Sequence, residues 1–240
     1  MLTLHVFAPA LNTISPSPFS VKSLLLLELS GLPWTRVTGD PRKAPLGKLP
    51  VLVDAGRAIP DSQAIQRHLA TAHGFDPDAH LDAHSRAMGE AIRHMIEDHL
   101  YWVLVHARWI EQPQATRAAF FGRVPAPLRA PIFAMVRRQI RRALHAQGMG
   151  RHSPAQIHAM GQEGLAALAS LLGAGPYLFG DRPAGADTVL FGFLENVLAA
   201  DLDTPLRVAA RAQPALVAYH QRLRQGIAAP LLGRGPGARG

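Results

Sequence analysis

The chain has 240 residues, 48% of them apolar and 18% charged, with 21 Gly, 20 Pro and no Cys. That length suits one large domain or two small ones, and the apolar share is enough for a packed core rather than a disordered chain. Without cysteine, disulfides, thiolate zinc sites, iron–sulfur clusters and a protein thiol nucleophile are all excluded. The formal charge of +8 is uneven: residues 1–80 hold 7 Lys+Arg against 6 Asp+Glu, residues 81–240 hold 18 against 11. Nearly all of the excess is Arg, which suits an anionic partner or a solvated helical face.

Met1-Leu2-Thr3-Leu4-His5-Val6 has no basic stretch leading into an apolar one, so no secretory signal is expected. The apolar run Leu24–Leu27 is cut by Glu28, far short of a bilayer span, and a soluble cytoplasmic protein is expected.

In chain order, Leu2–Phe7 alternates at period 2 and predicts a strand. Phe19–Ser30 has apolar residues at helical spacing, with Pro18 suited to the first turn and Gly31 to the C-terminal cap. Pro33–Val37 predicts a second strand. Pro50–Val53 and Arg57–Ile59 flank Asp54-Ala55-Gly56, a hairpin signature, and Asp61-Ser62 opens a helix ending at Gly74. The order β-α-β then β-β-α predicts a small sheet with one parallel pair and an antiparallel hairpin.

Residues 75–84 are polar and Pro-containing, a linker. Beyond them the pattern is helical: Ser85–Glu111 stopped by Pro113, Pro131–Gln147, a capping-box start at Ser153-Pro154-Ala155-Gln156 running to Leu172, Asp187–Ala200, and Pro214–Gln225. The Gly/Arg/Pro-rich end reads as a disordered tail.

Three helix or strand starts could carry chemistry. Ser15, Ser17 and Ser20 surround the start of the first helix, where unpaired backbone N–H groups stabilise an anion. A ligand's thiolate held there would have a lowered pKa, although the same serines could simply cap the helix. Lys48-Leu49-Pro50 suits a cis X-Pro bond that exposes the Leu49 backbone to a peptide-like ligand, with Lys48 facing a carboxylate; an edge strand with a surface lysine fits the same residues. At the next helix start, Ser62 suits a carboxylate and Asp61 an ammonium, the head group of an amino acid, or Asp61 is a plain N-cap.

On the long helix, His99, Trp102, His106 and Trp109 share one face, with Tyr101, Val105 and Arg108 beside it. No metal is expected, because neither His94 with Asp98 nor His99 is completed by further ligands. Nucleic acid is not expected either, because no aromatics interleave with Arg137, Arg138, Arg141 and Arg142.

The Ser-Pro-Phe, Gly-Lys-Leu-Pro and Asp-Ser motifs, in this order and followed by an all-helical half, resemble the glutathione S-transferase family. Glu97–Trp102, Gly148–His152 and Pro176–Asp181 resemble its branch of failed-axon-connections and metaxin proteins. The resemblance implies an α/β thioredoxin-like N-terminal domain (βαβ-ββα) over 1–76, an all-α C-terminal domain over 84–229, and a disordered tail over 230–240. It implies that Ser17 activates the sulfur of glutathione, with Ser15 and Ser20 as stand-ins. Phe19, Lys48, Leu49, Pro50, Asp61 and Ser62 would bind the tripeptide. Tyr101, Trp102 and Arg108 would line the pocket for a small hydrophobic electrophile, in a homodimer.

Two positions depart from the pattern. Ser20 stands where the branch often has Cys, removing redox chemistry there, and Ala184 stands where the cap before Asp187 is usually Ser or Thr, so that helix start must lean on Asp187. The function implied is a glutathione-dependent transferase; the alternative is a binding or adaptor protein of the same fold with little or no turnover.

Overall fold

The computed structural model describes residues 1–122 and 124–233. Strand β1 (Leu2–Val6) alternates buried and half-buried side chains, as a period-2 strand must. It runs parallel to β2 (Trp34–Thr38), Leu2 opposite Trp34, and antiparallel to β3 (Val51–Asp54), Leu4 opposite Leu52. Ala55 and Gly56, at φ 45° and 82°, turn β3 into β4 (Arg57–Pro60). Left-handed φ at both central residues is what a two-residue hairpin requires. The resulting order, β2-β1-β3-β4, is the mixed sheet the sequence predicts.

Helix α1 (Pro18–Ser30) has Ser17 as N-cap, Pro18 in its first turn and Gly31 at φ 64° as C-cap. Every residue from Ser20 to Leu27 is buried, because α2 (Ser62–His73) and α8 (Gly185–Leu194) both pack against it. The approach of α8 is close: a Cβ on Gly192 would lie 2.6 Å from the Pro18 carbonyl oxygen. Leu24 to Leu27, Leu52 and Ile65 from the first half and Leu100, Leu165, Phe191 and Phe193 from the second belong to one apolar cluster.

The predicted helix over 85–111 is a continuous rod of four pieces: α3 (Ala83–His94), a π-helical turn (Met95–Leu100), α4 (Tyr101–His106) and a second π-helical turn (Ala107–Glu111). Pro113, read from sequence as a stop, is also the first residue of α5 (Pro113–Phe121), since a missing N–H costs nothing in a first turn. Helix α6 (Ala126–Gln147) starts five residues before its expected start and carries Pro131 inside it. An interior proline loses one hydrogen bond, and here that loss falls early, in the second turn.

Helix α7 (Pro154–Leu172) begins with the expected capping box: the Ser153 N–H donates to Gln156 Oε1 at 2.9 Å and the Gln156 N–H to Ser153 Oγ at 3.3 Å. Helix α8 starts two residues ahead of Asp187 and passes into a third π-helical turn (Glu195–Ala199). The short α9 (Pro205–Arg211), capped by Thr204, was not anticipated; α10 (Pro214–Gln225) was. The tail expected to be disordered from 230 is instead helical at its start, in α11 (Ala229–Gly233), and residues 234–240 lie outside those described.

Ala184 has no oxygen with which to cap α8, and Asp187 carries the load. Its Oδ2 accepts from the Ala184 N–H at 2.8 Å, and its Oδ1 from the Leu178 N–H at 3.0 Å and the Tyr219 hydroxyl at 2.8 Å. No helix among the described residues is long and apolar enough to cross a membrane.

Candidate functional site

A cavity of about 720 Å³ opens where the N-terminal ends of α1 and α2 face the long helix. Ten of the residues singled out from sequence line it: Ser17, Phe19, Lys48, Leu49, Pro50, Asp61 and Ser62 on the sheet side, Tyr101, Trp102 and Arg108 on the helical side; Ser15, Ser20, His99 and His106 do not. They come from four segments separated by tens of residues, and the sheet brings them together because α1, the 41–49 loop and α2 all begin at one end of it.

Of the three candidate serines only Ser17 reaches the cavity. Ser15 is fully buried and its hydroxyl donates to the Phe7 carbonyl at 3.2 Å. Ser20 is buried one turn into α1 with its Oγ unpartnered. Ser17 is also the helix cap, its Oγ accepting from the Ser20 N–H at 3.3 Å. The two roles do not compete: a hydroxyl has one donor hydrogen and two acceptor lone pairs, so capping leaves the O–H free to donate to an anion.

Asp61 shows the same economy. Its Oδ1 accepts from the N–H groups of both Gln63 and Ala64, at 2.9 and 3.0 Å, leaving Oδ2 without a hydrogen bond among the described residues. The residue sits at φ 79°, ψ 133°, a conformation that costs a non-glycine residue about 1–3 kcal/mol and gathers at functional sites. Ser62 beside it is buried. The Leu49–Pro50 peptide bond is cis, as expected, and Leu49 lies just ahead of Val51, where strand pairing begins. Lys48 is exposed at the rim, and Leu46 projects there as an exposed apolar lip.

On the helical side the two stripes expected from sequence merge into one wall. Tyr101, Trp102, Val105, Arg108 and Trp109 face the cavity, while His106 turns away toward Glu111 and His158. Phe19 packs edge-on against Tyr101 with ring centroids 4.9 Å apart. The Tyr101 hydroxyl has no hydrogen-bond partner among the described residues, and burial raises its pKa, so at neutral pH it is a free donor. Phe120 of α5 and Val136, Gln139 and Ile140 of α6 close the far wall. The apolar face of α6 was visible in the sequence; Phe120 was hidden with its unrecognised helix.

Arg108 lines the cavity, but its hydrogen bonds go elsewhere. Its Nη1 donates to the Pro16 carbonyl at 2.6 Å, and its Nη2 to the Asn196 carbonyl and Oδ1 at 2.8 and 2.7 Å. Asn196 in turn donates to the Ser15 carbonyl at 3.2 Å. The pair therefore holds the turn that presents Ser17, a task no local motif encodes. Burial lowers the Arg108 pKa to about 10, so the guanidinium stays charged at neutral pH, and it pairs with no carboxylate among the described residues.

A second buried cation was also missed. Lys22 of α1 donates to Glu97 at 2.9 Å and to Gln63 at 2.8 Å, and burial lowers its pKa. Glu97, on the cavity wall, also takes a hydrogen bond from Arg93 at 3.0 Å, so its charge is spent on structure.

A four-stranded mixed sheet whose helix N-termini face a pocket lined by a helical half is the fold of the glutathione S-transferases. The family model described as glutathione S-transferase N-terminal domain matches residues 18–114, and that described as glutathione S-transferase, C-terminal domain matches 161–223. Together they cover more than half of the sequence, and the chain belongs to that family.

The isoprene-epoxide–glutathione S-transferase of Rhodococcus sp. (strain AD45) is 28% identical over 94% of this chain and 98% of its own. Failed axon connections of Drosophila melanogaster is 28% identical over 86% of this chain, and human metaxin-1 is 29% identical over 84%. The match takes in 53% and 47% of those two longer proteins. Among solved structures, a glutathione S-transferase from Methylobacterium radiotolerans in complex with glutathione sulfonate superposes with a TM-score of 0.61 over 99% of this chain and 95% of its own, at 23% identity.

Proposed function

We propose that the protein conjugates glutathione to a small apolar electrophile that carries an oxygen at the reacting centre, an epoxide being the best fit. The observation that carries the reading is the set of uncommitted groups around one cavity: the Ser17 O–H, Asp61 Oδ2, the Leu49 backbone ahead of the strand, exposed Lys48, and the Tyr101 hydroxyl opposite. The near full-length similarity to an isoprene-epoxide transferase points the same way.

Each of these residues has a task. Asp61 accepts from the γ-glutamyl ammonium and Ser62 with the α2 N-terminus receives its carboxylate. The Leu49 backbone pairs with the cysteinyl residue as an added strand would, and Lys48 faces the glycyl carboxylate. Ser17 donates to the thiolate, which the opening amides of α1 and the unpaired charge of Arg108 favour further. As the sulfur–carbon bond forms and the carbon–oxygen bond breaks, the oxygen takes the Tyr101 proton, which solvent restores. Orientation does the rest, because the nucleophile comes with the co-substrate. The same reading takes the chain to act as a cytoplasmic homodimer.

Two substitutions test the two halves of the site. Asp61→Asn keeps an equally good N-cap but removes the charge, and is expected to weaken glutathione binding about tenfold in isothermal titration at unchanged Tm, the loss of one charge-assisted hydrogen bond. Tyr101→Phe is expected to lower kcat for epoxide conjugation about tenfold or more while leaving the glutathione Kd unchanged. Absence of glutathione binding by the parent chain at millimolar concentration would instead favour the adaptor reading.

A further inference from the structure

Toward the C-terminal end of α2, away from its N-cap Asp61, three ligand-type side chains meet at one point. Asp54 ends β3, and its Oδ2 lies 2.8 Å from His68 Nε2 and 2.7 Å from His73 Nε2. One ligand atom from each residue falls within 4.8 Å of the others. Helical residues three or four apart share a face, whereas residues five apart do not. His68 and His73 nevertheless reach the same oxygen, because His73 is the last residue of α2, where Gly74 at φ 71° ends the helix. The tight turn at Ala55 and Gly56 fixes the position of Asp54 from the other side.

We propose that Asp54, His68 and His73 form a binding site for a divalent transition-metal ion of the zinc class, which fastens the β3–β4 turn to the C-terminal end of α2. Two imidazoles and a carboxylate are a zinc-type donor set, whereas calcium and magnesium take oxygen ligands. Zinc lies about 2.0–2.2 Å from such atoms and a tetrahedral set holds them about 3.3–3.5 Å apart, so each histidine nitrogen need draw back only about half an ångström from Asp54 Oδ2. The side chains retain that freedom: they are 14%, 18% and 25% exposed for His68, Asp54 and His73.

Three protein ligands leave the fourth position to water. None of the three residues lines the glutathione cavity, so the ion braces the sheet half and takes no part in conjugation. The site escapes sequence reading because Asp54 stands 14 and 19 residues from its partners, with no motif to link them.

The test is titration of the chelator-treated full chain with Zn²⁺, and with Co²⁺ as a spectroscopic probe. The expected result is one equivalent bound with micromolar affinity, tetrahedral Co²⁺ absorption bands, and a Tm about 5–10 °C higher at a hundredfold excess over Kd. His73→Ala, at the exposed end of α2, is expected to fold normally and to lose affinity at least tenfold. His94→Ala, which removes the separate His94–Asp98 pair, is expected to bind as the parent does. No binding at 100-fold micromolar zinc, or binding undiminished in His73→Ala, would overturn the proposal, the latter placing the ion elsewhere.

Discussion

Ser17→Ala is expected to lower kcat/KM at pH 7 about a hundredfold while leaving glutathione bound. The Ser17 hydroxyl is the one side-chain donor at the α1 N-terminus that is free to face a thiolate, because Ser15 is committed to the Phe7 carbonyl and Ser20 is buried in the helix. A hydrogen bond to a charged group contributes about 1.5–3 kcal/mol, and one pKa unit corresponds to about 1.4 kcal/mol, so the bound thiol should lose its proton about 1–2 units higher. The acid limb of the pH–rate profile moves up by the same amount, and the defect shrinks at alkaline pH, where the thiolate forms without help. Thiolate absorbance across pH reads the shift directly.

The substitution also removes a helix cap, at a cost of about 0.5–2 kcal/mol, so a lower Tm accompanies it. Ser20→Ala is the control that should leave both profile and rate in place. A Ser17→Ala variant with an unshifted profile would reduce Ser17 to a cap.

The largest loss of stability is expected from Asp187→Ala, about 3–5 kcal/mol by urea denaturation. The carboxylate is fully buried and is, among the described residues, the acceptor for the Ala184 N–H and the Leu178 N–H, while the fully buried Tyr219 hydroxyl divides its bond between this carboxylate at 2.8 Å and the Asp187 carbonyl at 3.2 Å. Each stranded donor costs about 1–3 kcal/mol. Burial raises the Asp187 pKa despite these bonds, so part of the loss is offset by removing a charge that was expensive to bury. Against a typical total of about 5–15 kcal/mol, the remainder is a large fraction. The effect should reach the site as well, since α8 packs directly on Pro18 and carries the chain toward Asn196. A loss below 1 kcal/mol would mean that water replaces the carboxylate.

Much of this was legible in the sequence because its signals are local. A strand alternates every second residue, a cap needs a hydroxyl or carboxylate beside the first turn, and Asp54-Ala55-Gly56 between two apolar runs marks a hairpin because Gly56 accepts positive φ. These rules placed β1 to β4, α1, α2, the start of α7 and the sheet-side residues of the site. Local rules failed where one residue type serves two purposes. Pro113 ends one helix and begins another, and Pro131 sits inside a helix that its neighbours sustain. The π-helical turns at Met95–Leu100 and Ala107–Glu111 shift a face counted at 3.6 residues per turn, which is why His106 left the cavity wall.

The sequence by itself determined the elements and the groups each one presents at its ends, because backbone geometry and hydrogen-bonding demand are settled within a few residues. Only the tertiary structure decided which of those groups meet: that Ser17 rather than Ser15 or Ser20 faces the cavity, that Arg108 and Asn196 hold the turn beneath it, and that Asp54 lies between two histidines. Those choices depend on how buried helices pack and where desolvated charges find partners, and such contacts join residues far apart in the chain that no spacing rule connects.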